Sequence, residues 1–75
     1  MEIRVLEYYI AIVQQKSITR AAQLLHISQS TLSRQIMDLE QELGVTLFQR
    51  GRREISLTED GNFLYRRAQE ILRLT

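Results

Sequence analysis

Apolar residues recur every three or four positions along most of the chain, which is the spacing of helices that bury one face. The first helix is expected to bury Ile3, Leu6, Ile10 and Val13, with Tyr9 beside this stripe. A later helix is expected to bury Leu32, Ile36, Leu39 and Leu43. The pattern therefore predicts a mainly helical domain.

Two further helices complete the pattern. A short second helix runs through Ala21, Ala22, Leu24 and Leu25, where the alanines allow another helix to approach closely and Ile27 fills the gap after the turn. The last helix has a stripe made of Phe63, Leu64, Ala68, Ile71 and Leu72. The chain has no Pro and only 3 Gly, which agrees with helices joined by short connections.

Hydroxyl side chains precede the expected helices and are suited to cap them. Ser17 and Thr19 are both candidates for the second helix, Ser28 for the third and Thr58 for the fourth. Two carboxylates, Glu59 and Asp60, follow Thr58 and favour the positive end of a helix dipole.

Gly44 is expected to end the third helix in a left-handed conformation, with Val45 folding back on Leu39. After it, the runs "TLFQR" and "EISLT" are typical of β-strands, and Gly51, Arg52 and Arg53 lie near the tip between them. Three helices, a hairpin and another helix are the outline of a winged helix-turn-helix with a two-stranded β wing.

Composition limits the function classes. A chain of 75 residues with 44% hydrophobic content forms one small domain. The absence of Cys and the single His exclude a disulfide framework, a structural zinc site and a thiol nucleophile. No apolar run has the length of a membrane span and the N-terminus lacks the order of a signal peptide, so we expect a cytoplasmic protein with no membrane partner.

The start of the third helix carries hydrogen-bonding side chains beside its buried stripe. Gln29, Ser30, Ser33, Arg34 and Met37 share one arc at about 100° per residue. Gln pairs with adenine and Arg with guanine in a major groove, and the free N–H groups of the first turn favour a phosphate. The alternative is an ordinary solvated helix face. Acidic residues occur only in the second half of this helix, at Asp38, Glu40 and Glu42, and their spacing does not make a metal site.

The expected wing carries three permanent positive charges, Arg50, Arg52 and Arg53, around Gly51. Such a cluster suits a narrow minor groove, where the potential is especially negative. The alternative is a solubilising turn that pairs partly with Glu54. Because the net charge is only +1, any nucleic-acid partner is indicated by this local cluster and not by the whole chain.

The run "SITRAAQLLHISQSTLSRQIMDLEQELGVTLFQR", followed by "ISLTEDG", closely resembles the N-terminal domain of LysR-type transcriptional regulators over nearly the whole chain. The resemblance implies a double-stranded DNA-binding domain, with helix three in the major groove and the wing at the minor groove. It implies DNA contacts at Thr19, Arg20, Ser28, Gln29, Ser30, Thr31, Ser33, Arg34, Arg50, Arg52 and Arg53. The family very often has Pro where this chain has Ser30, so no base assignment is transferred to that position.

The resemblance also divides the chain into a winged helix-turn-helix domain over residues 1–58 and a linker helix over residues 59–75. The linker helix is expected to form a homodimer through Phe63, Leu64, Ala68, Ile71 and Leu72. A dimer requires an interrupted palindromic operator. The last helix has no stop signal, which suggests that the native chain continues, and the family implies a small-molecule effector bound by a C-terminal domain absent from this chain.

Two other classes remain as rivals. One is a helix-turn-helix used only for protein interaction, with the arginines facing an acidic protein surface; the other is a small enzyme. His26 lacks a positioned partner in the sequence pattern, and Tyr8, Tyr9 and Tyr65 lie in helical stripes away from the arginines. We therefore expect no catalytic residue, no metal and no cofactor.

Overall fold

The computed structural model describes residues 2–50 and 55–73. The helices are α1 (Ile3–Gln15), α2 (Ile18–Leu25), α3 (Gln29–Leu43) and α4 (Glu59–Arg73), and the strands are β1 (Phe48–Arg50) and β2 (Ile55–Leu57). The strands are antiparallel, with Phe48 opposite Leu57 and Arg50 opposite Ile55. This arrangement confirms the predicted winged helix-turn-helix, a mainly α fold with a three-helix core, a two-stranded wing and a C-terminal helix.

Tight turns join the first three helices. Lys16, the residue after α1, has φ 56°, in the left-handed region. Ser17 then caps α2 by accepting a hydrogen bond from the backbone N–H of Arg20 at 3.1 Å. Of the two candidate caps, Ser17 is therefore the one used, and Thr19 lies inside the helix. His26, the residue after α2, is also left-handed, with φ 62°. The half-buried Ile27 that follows packs against the core, as predicted.

The buried core lies between α1, α2 and α3, and Leu47 before the wing completes it. Its largest fully buried side chains are Tyr9, Ile12, Leu32, Leu39 and Leu47. The predicted burial of Ile3 and Leu43 is wrong, since these side chains are 53% and 38% exposed. Both lie at helix ends, where the neighbouring helices do not cover them. The inner face of α1 is instead formed by Val5, Leu6, Tyr9, Ala11 and Ile12, while Ile10 and Val13 are half-buried.

The first turn of α4 packs closely on the start of the wing. Gly61 is buried, and a Cβ at this position would overlap the carbonyl oxygen of Leu47. The Tyr9 hydroxyl, coming from α1, donates to the Gly61 carbonyl at 2.6 Å. Burial raises the pKa of Tyr9, and the negative charge of Glu40 raises it further.

The base of the wing is tied to both flanking helices. The backbone N–H of Leu47 donates to the carboxylate of Glu40, on α3, at 2.7 Å. Thr58 donates through its hydroxyl to the Thr46 carbonyl at 2.6 Å and accepts from the Gly61 N–H at 2.9 Å, which confirms it as the cap of α4. These hydrogen bonds fix the position of the segment before β1 against α3, and they fix the start of α4 against the same segment.

The end of α3 has the predicted geometry. Gly44 has φ 72°, and its N–H donates to the Glu40 carbonyl at 2.8 Å. Val45 donates to the same carbonyl at 3.2 Å and packs on the core cluster that contains Leu39. Among the described residues, no helix has both the length and the apolar character needed to cross a bilayer.

Candidate nucleic-acid interface

The amino end of α3 is held by a small network of hydroxyl groups. The Ser28 hydroxyl oxygen accepts from the Thr31 N–H at 3.1 Å, and the hydroxyl donates to the Thr31 side-chain oxygen at 2.7 Å. Ser30 joins this network, because its hydroxyl lies 3.3 Å from that of Ser28. Within the described residues, the backbone N–H groups of Gln29 and Ser30 have no partner, as expected for the first turn of a helix.

A shallow open depression runs along the exposed side of α3, on the side away from the buried Leu32, Ile36 and Leu39. We call its lining the α3 surface: Gln29, Ser30, Ser33, Arg34, Met37, Asp38 and Gln41. The first five of these are the residues that helical spacing placed together, so their common location is as predicted. All of the α3 surface is exposed except the half-buried Ser33.

Two polar side chains of the α3 surface have no partner within the described residues. Over the part of the chain that the structure describes, neither Gln29 nor Arg34 makes a side-chain hydrogen bond or an ion pair. Arg4 and Arg67, by contrast, pair with Glu2 and Glu70 at 3.1 and 3.0 Å. The α3 surface thus presents an unneutralised guanidinium and a free amide to whatever approaches it.

Thr19 and Arg20 lie in the first turn of α2 and are both exposed. The backbone of Arg20 is engaged with Ser17, whereas its guanidinium has no partner among residues 2–50 and 55–73. These groups are available for contacts with a phosphate backbone.

The predicted wing contacts cannot be located in the same way. The backbone of β1 ends at Arg50 and that of β2 begins at Ile55, while Arg52, Arg53 and the side chain of Arg50 lie outside the described residues. Their contact with a minor groove stays a prediction.

The predicted dimer residues of α4 differ in their exposure. Phe63 and Ile71 are 53% and 44% exposed, and Leu64 and Leu72 are half-buried. Ala68 is fully buried within its own chain, on the helix α4, which packs against α1. It therefore offers no surface to a partner in this conformation. The guanidinium of Arg67 lies over the Phe63 ring, 5.3 Å from its centroid.

Sequence reasoning missed two members of the α3 surface and one residue that supports it. Gln41 continues the four-residue spacing of Gln29, Ser33 and Met37, so that spacing was sufficient to find it, and Asp38 adjoins Met37. Glu40, which the sequence shows only as one of the acidic residues in the second half of α3, accepts from the Leu47 backbone N–H. No sequence signal marks that contact, since it depends on the path of the chain after Gly44.

Comparison with known proteins gives concordant matches. The family described as bacterial regulatory helix-turn-helix protein, lysR family, matches residues 3–62. The HTH-type transcriptional regulator BenM of Acinetobacter baylyi is 47% identical over 72 residues, which are 96% of this chain and 24% of BenM. BsdA of Bacillus subtilis is 49% identical over 73 residues, which are 96% of this chain and 25% of BsdA. The chain thus spans about a quarter of the length of these curated relatives.

Solved structures of relatives have the same fold. The crystal structure of the BenM DNA-binding domain with catB site 1 DNA superposes with a TM-score of 0.94 at 46% identity, covering 97% of this chain and 81% of that one. The complex of the CbnR DNA-binding domain with DNA gives a TM-score of 0.92 at 42% identity, covering 99% of this chain and 85% of that one. With the family match over residues 3–62, these likenesses confirm the resemblance found in the sequence: the chain belongs to the LysR family of bacterial regulatory helix-turn-helix proteins.

Proposed function

We propose that this chain is the sequence-specific, double-stranded DNA-binding domain of a LysR-type transcriptional regulator, with α3 in the major groove. The observation that carries the proposal is the α3 surface, where Gln29 and Arg34 are exposed and unpaired within the described chain. Gln forms bidentate pairs with adenine and Arg with guanine, and Ser30 and Ser33 can donate or accept. These are side chains that read base edges.

The amino ends of α2 and α3 supply the phosphate contacts that fix the position of the protein along the DNA. The unpaired N–H groups at the start of α3 and the dipole behind them favour a phosphate near Ser28 and Thr31. Thr19 and the unpaired guanidinium of Arg20 contact the backbone from the start of α2. Phosphate contacts of this kind position the protein, and the base contacts of the α3 surface provide the sequence preference.

The structural relatives support DNA binding by this chain. BenM and CbnR DNA-binding domains were crystallised with DNA, and both superpose on nearly the whole of this chain. In the proposed complex, the wing arginines Arg50, Arg52 and Arg53 approach the adjoining minor groove. The wing base, held to α3 by Glu40, sets the direction from which they approach.

The remaining parts of the proposal concern the whole regulator. Phe63 and Ile71 on α4, with the half-buried Leu64 and Leu72, pair with a second copy. The dimer binds an interrupted palindromic operator in the bacterial cytoplasm, at the nucleoid. A small-molecule effector acts through a C-terminal domain beyond this chain, and the protein works by binding DNA and not by catalysis. The relatives it matches are named as transcriptional regulators, which supports this view.

The experiment is selection of duplexes from a random pool by the 75-residue chain, followed by affinity measurements over a range of salt concentrations. We expect an enriched half-site or an interrupted palindrome, and an affinity that falls with a log-log slope of about 0.9 per phosphate contacted. A pool that stays unenriched at every salt concentration tested would reject the proposal. The rival function, a module for protein interaction, would then be the remaining explanation.

A further inference from the structure

Met37 is a large apolar side chain in the middle of an otherwise polar surface. At about 100° per residue, it projects between Ser33 and Arg34 and close to the direction of Ser30. Along the helix axis it lies about 4.5 Å beyond Arg34 and about 12 Å beyond Gln29. It therefore lies one helical turn beyond the side chains to which we assign base contacts, on the same side of α3.

Packing inside the chain does not explain this methionine. Met37 is 55% exposed, and the core that α3 covers is formed by Leu32, Ile36 and Leu39 on the opposite side. The other residues of the α3 surface are polar or charged. Met37 also lines a second open depression with Gln41, Val45 and Thr46, but more than half of its surface stays exposed there. Single exposed apolar residues are common on protein surfaces, and what distinguishes Met37 is its place on the α3 surface, on the same side of the helix as Ser33 and Arg34.

The major groove offers such a side chain one apolar target. Among the base edges there, the C5-methyl group of thymine is the apolar feature, and the other groups are hydrogen-bond donors and acceptors. Methionine is unbranched and adapts its shape to a small apolar group. We propose that Met37 reads thymine through its 5-methyl group and so sets base preference at one position of the half-site.

This inference rests on the proposed function, because it requires α3 to lie in a major groove. It adds a discrimination that Gln29 and Arg34 do not provide. An amide and a guanidinium read adenine and guanine by hydrogen bonds, whereas Met37 distinguishes thymine from cytosine by the presence of a methyl group.

The test uses the duplex enriched from the random pool and the same duplex in which each thymine in turn is replaced by deoxyuridine, which lacks only the methyl group. For the wild-type chain, one replacement should weaken binding by about three- to fivefold, the ratio expected from exposing a group of that size. In Met37→Gln the same replacement should have no effect. Met37→Leu keeps an apolar side chain and should keep the sensitivity to the methyl group.

The control is Gln14→Ala, which alters an exposed amide on α1, outside the α3 surface, and should leave the deoxyuridine effect as in the wild-type chain. Circular dichroism checks that each variant is folded, which is expected because Met37 is mostly exposed. Equal sensitivity to deoxyuridine in the wild-type chain and Met37→Gln, or none in either, would overturn the role of Met37 while leaving DNA binding intact. Failure to enrich any duplex would reject the proposed function and this inference together.

Discussion

The hydroxyl of Tyr9, at the centre of α1, donates to the carbonyl of Gly61, in the first turn of α4, at 2.6 Å. The two residues are 52 positions apart, and this hydrogen bond joins the three-helix core to the helix that follows the wing. Tyr9 is fully buried, and its ring lies 5.4 Å from that of Phe48 on β1. One side chain thus contacts the first strand of the wing and the helix after it.

Replacing Tyr9 with Phe removes this hydrogen bond and keeps the ring. We expect Tyr9→Phe to lower the free energy of unfolding by about 0.5–1.5 kcal/mol, the usual net value of a buried hydrogen bond. Urea unfolding followed by circular dichroism measures the change. Tyr8→Phe is the matched control, since the Tyr8 hydroxyl has no partner among the described residues and its loss should have little effect. Equal stabilities for Tyr9→Phe and the wild-type chain would show that the bond contributes nothing.

Alkaline pH should reduce the difference in stability between the wild-type chain and Tyr9→Phe. Burial, assisted by the charge of Glu40, raises the pKa of Tyr9 above its ordinary value of 10.0. The unfolded chain therefore loses this proton first. The stability that Tyr9 contributes is complete below about pH 10 and is lost as the pH rises towards the higher pKa of the folded state, by about 1.4 kcal/mol per pH unit. Unfolding of wild-type and Tyr9→Phe chains at pH 8, 10 and 11 should give a difference that shrinks with pH. A constant difference would argue against the raised pKa.

Gly61 tests how closely α4 approaches the wing. In an open helix, Gly→Ala stabilises by up to about 1 kcal/mol. Here the new Cβ would overlap the Leu47 carbonyl, so we expect Gly61→Ala to destabilise by about 1–3 kcal/mol. Asn62→Ala, an exposed position in the same turn, serves as the control and should be neutral or stabilising. Thermal unfolding of both variants makes the comparison, and a higher melting temperature for Gly61→Ala would contradict the close approach.

Substitutions at Gly44 and Lys16, the left-handed residues after α3 and α1, should change stability in opposite directions. Gly44→Ala should cost about 1 kcal/mol for backbone conformation alone, because its φ is 72° and an added Cβ would meet no atom of the described residues within 4 Å. Lys16 has φ 56° without being glycine, so Lys16→Gly should be neutral or stabilising by up to about 1 kcal/mol. Denaturant midpoints decide the signs. Destabilisation by Lys16→Gly as large as that of Gly44→Ala would mean that the side chain of Lys16 matters more than its backbone.

Gln29 and Arg34 carry the proposed base readout. Gln29→Ala and Arg34→Ala should each weaken binding to the enriched duplex by about 1–3 kcal/mol and relax preference at one base pair, with little change on random duplexes. Gln14→Ala on α1 and Arg66→Ala on α4 are matched controls that remove an exposed amide and an exposed guanidinium elsewhere. Repeating the selection with each variant gives the preference directly. Unchanged base preference in folded Gln29→Ala and Arg34→Ala would remove these residues from the readout.

Local sequence determined the elements of this protein and the candidate surface on α3. Helical spacing, the caps Ser28 and Thr58, and the left-handed Gly44 depend on interactions within a few residues, so they can be read along the chain. For α2 the sequence left Ser17 and Thr19 as candidates, and the structure identifies Ser17. The grouping of Gln29, Ser33, Arg34 and Met37 also follows from helix geometry alone. The order of these elements was enough to predict the winged helix-turn-helix.

Tertiary structure decided what depends on residues far apart in the chain. Spacing alone made Ile3 a core residue and placed Tyr9 at the edge of a stripe, but the positions of the other helices leave Ile3 exposed and bury Tyr9 completely. The same is true of Gly61, Glu40 and Ala68, whose roles follow from where Leu47 and α1 lie against α3 and α4. A periodic pattern states which side of a helix is apolar, whereas the depth of each side chain is set by the neighbours that pack over it, and those come from distant parts of the sequence.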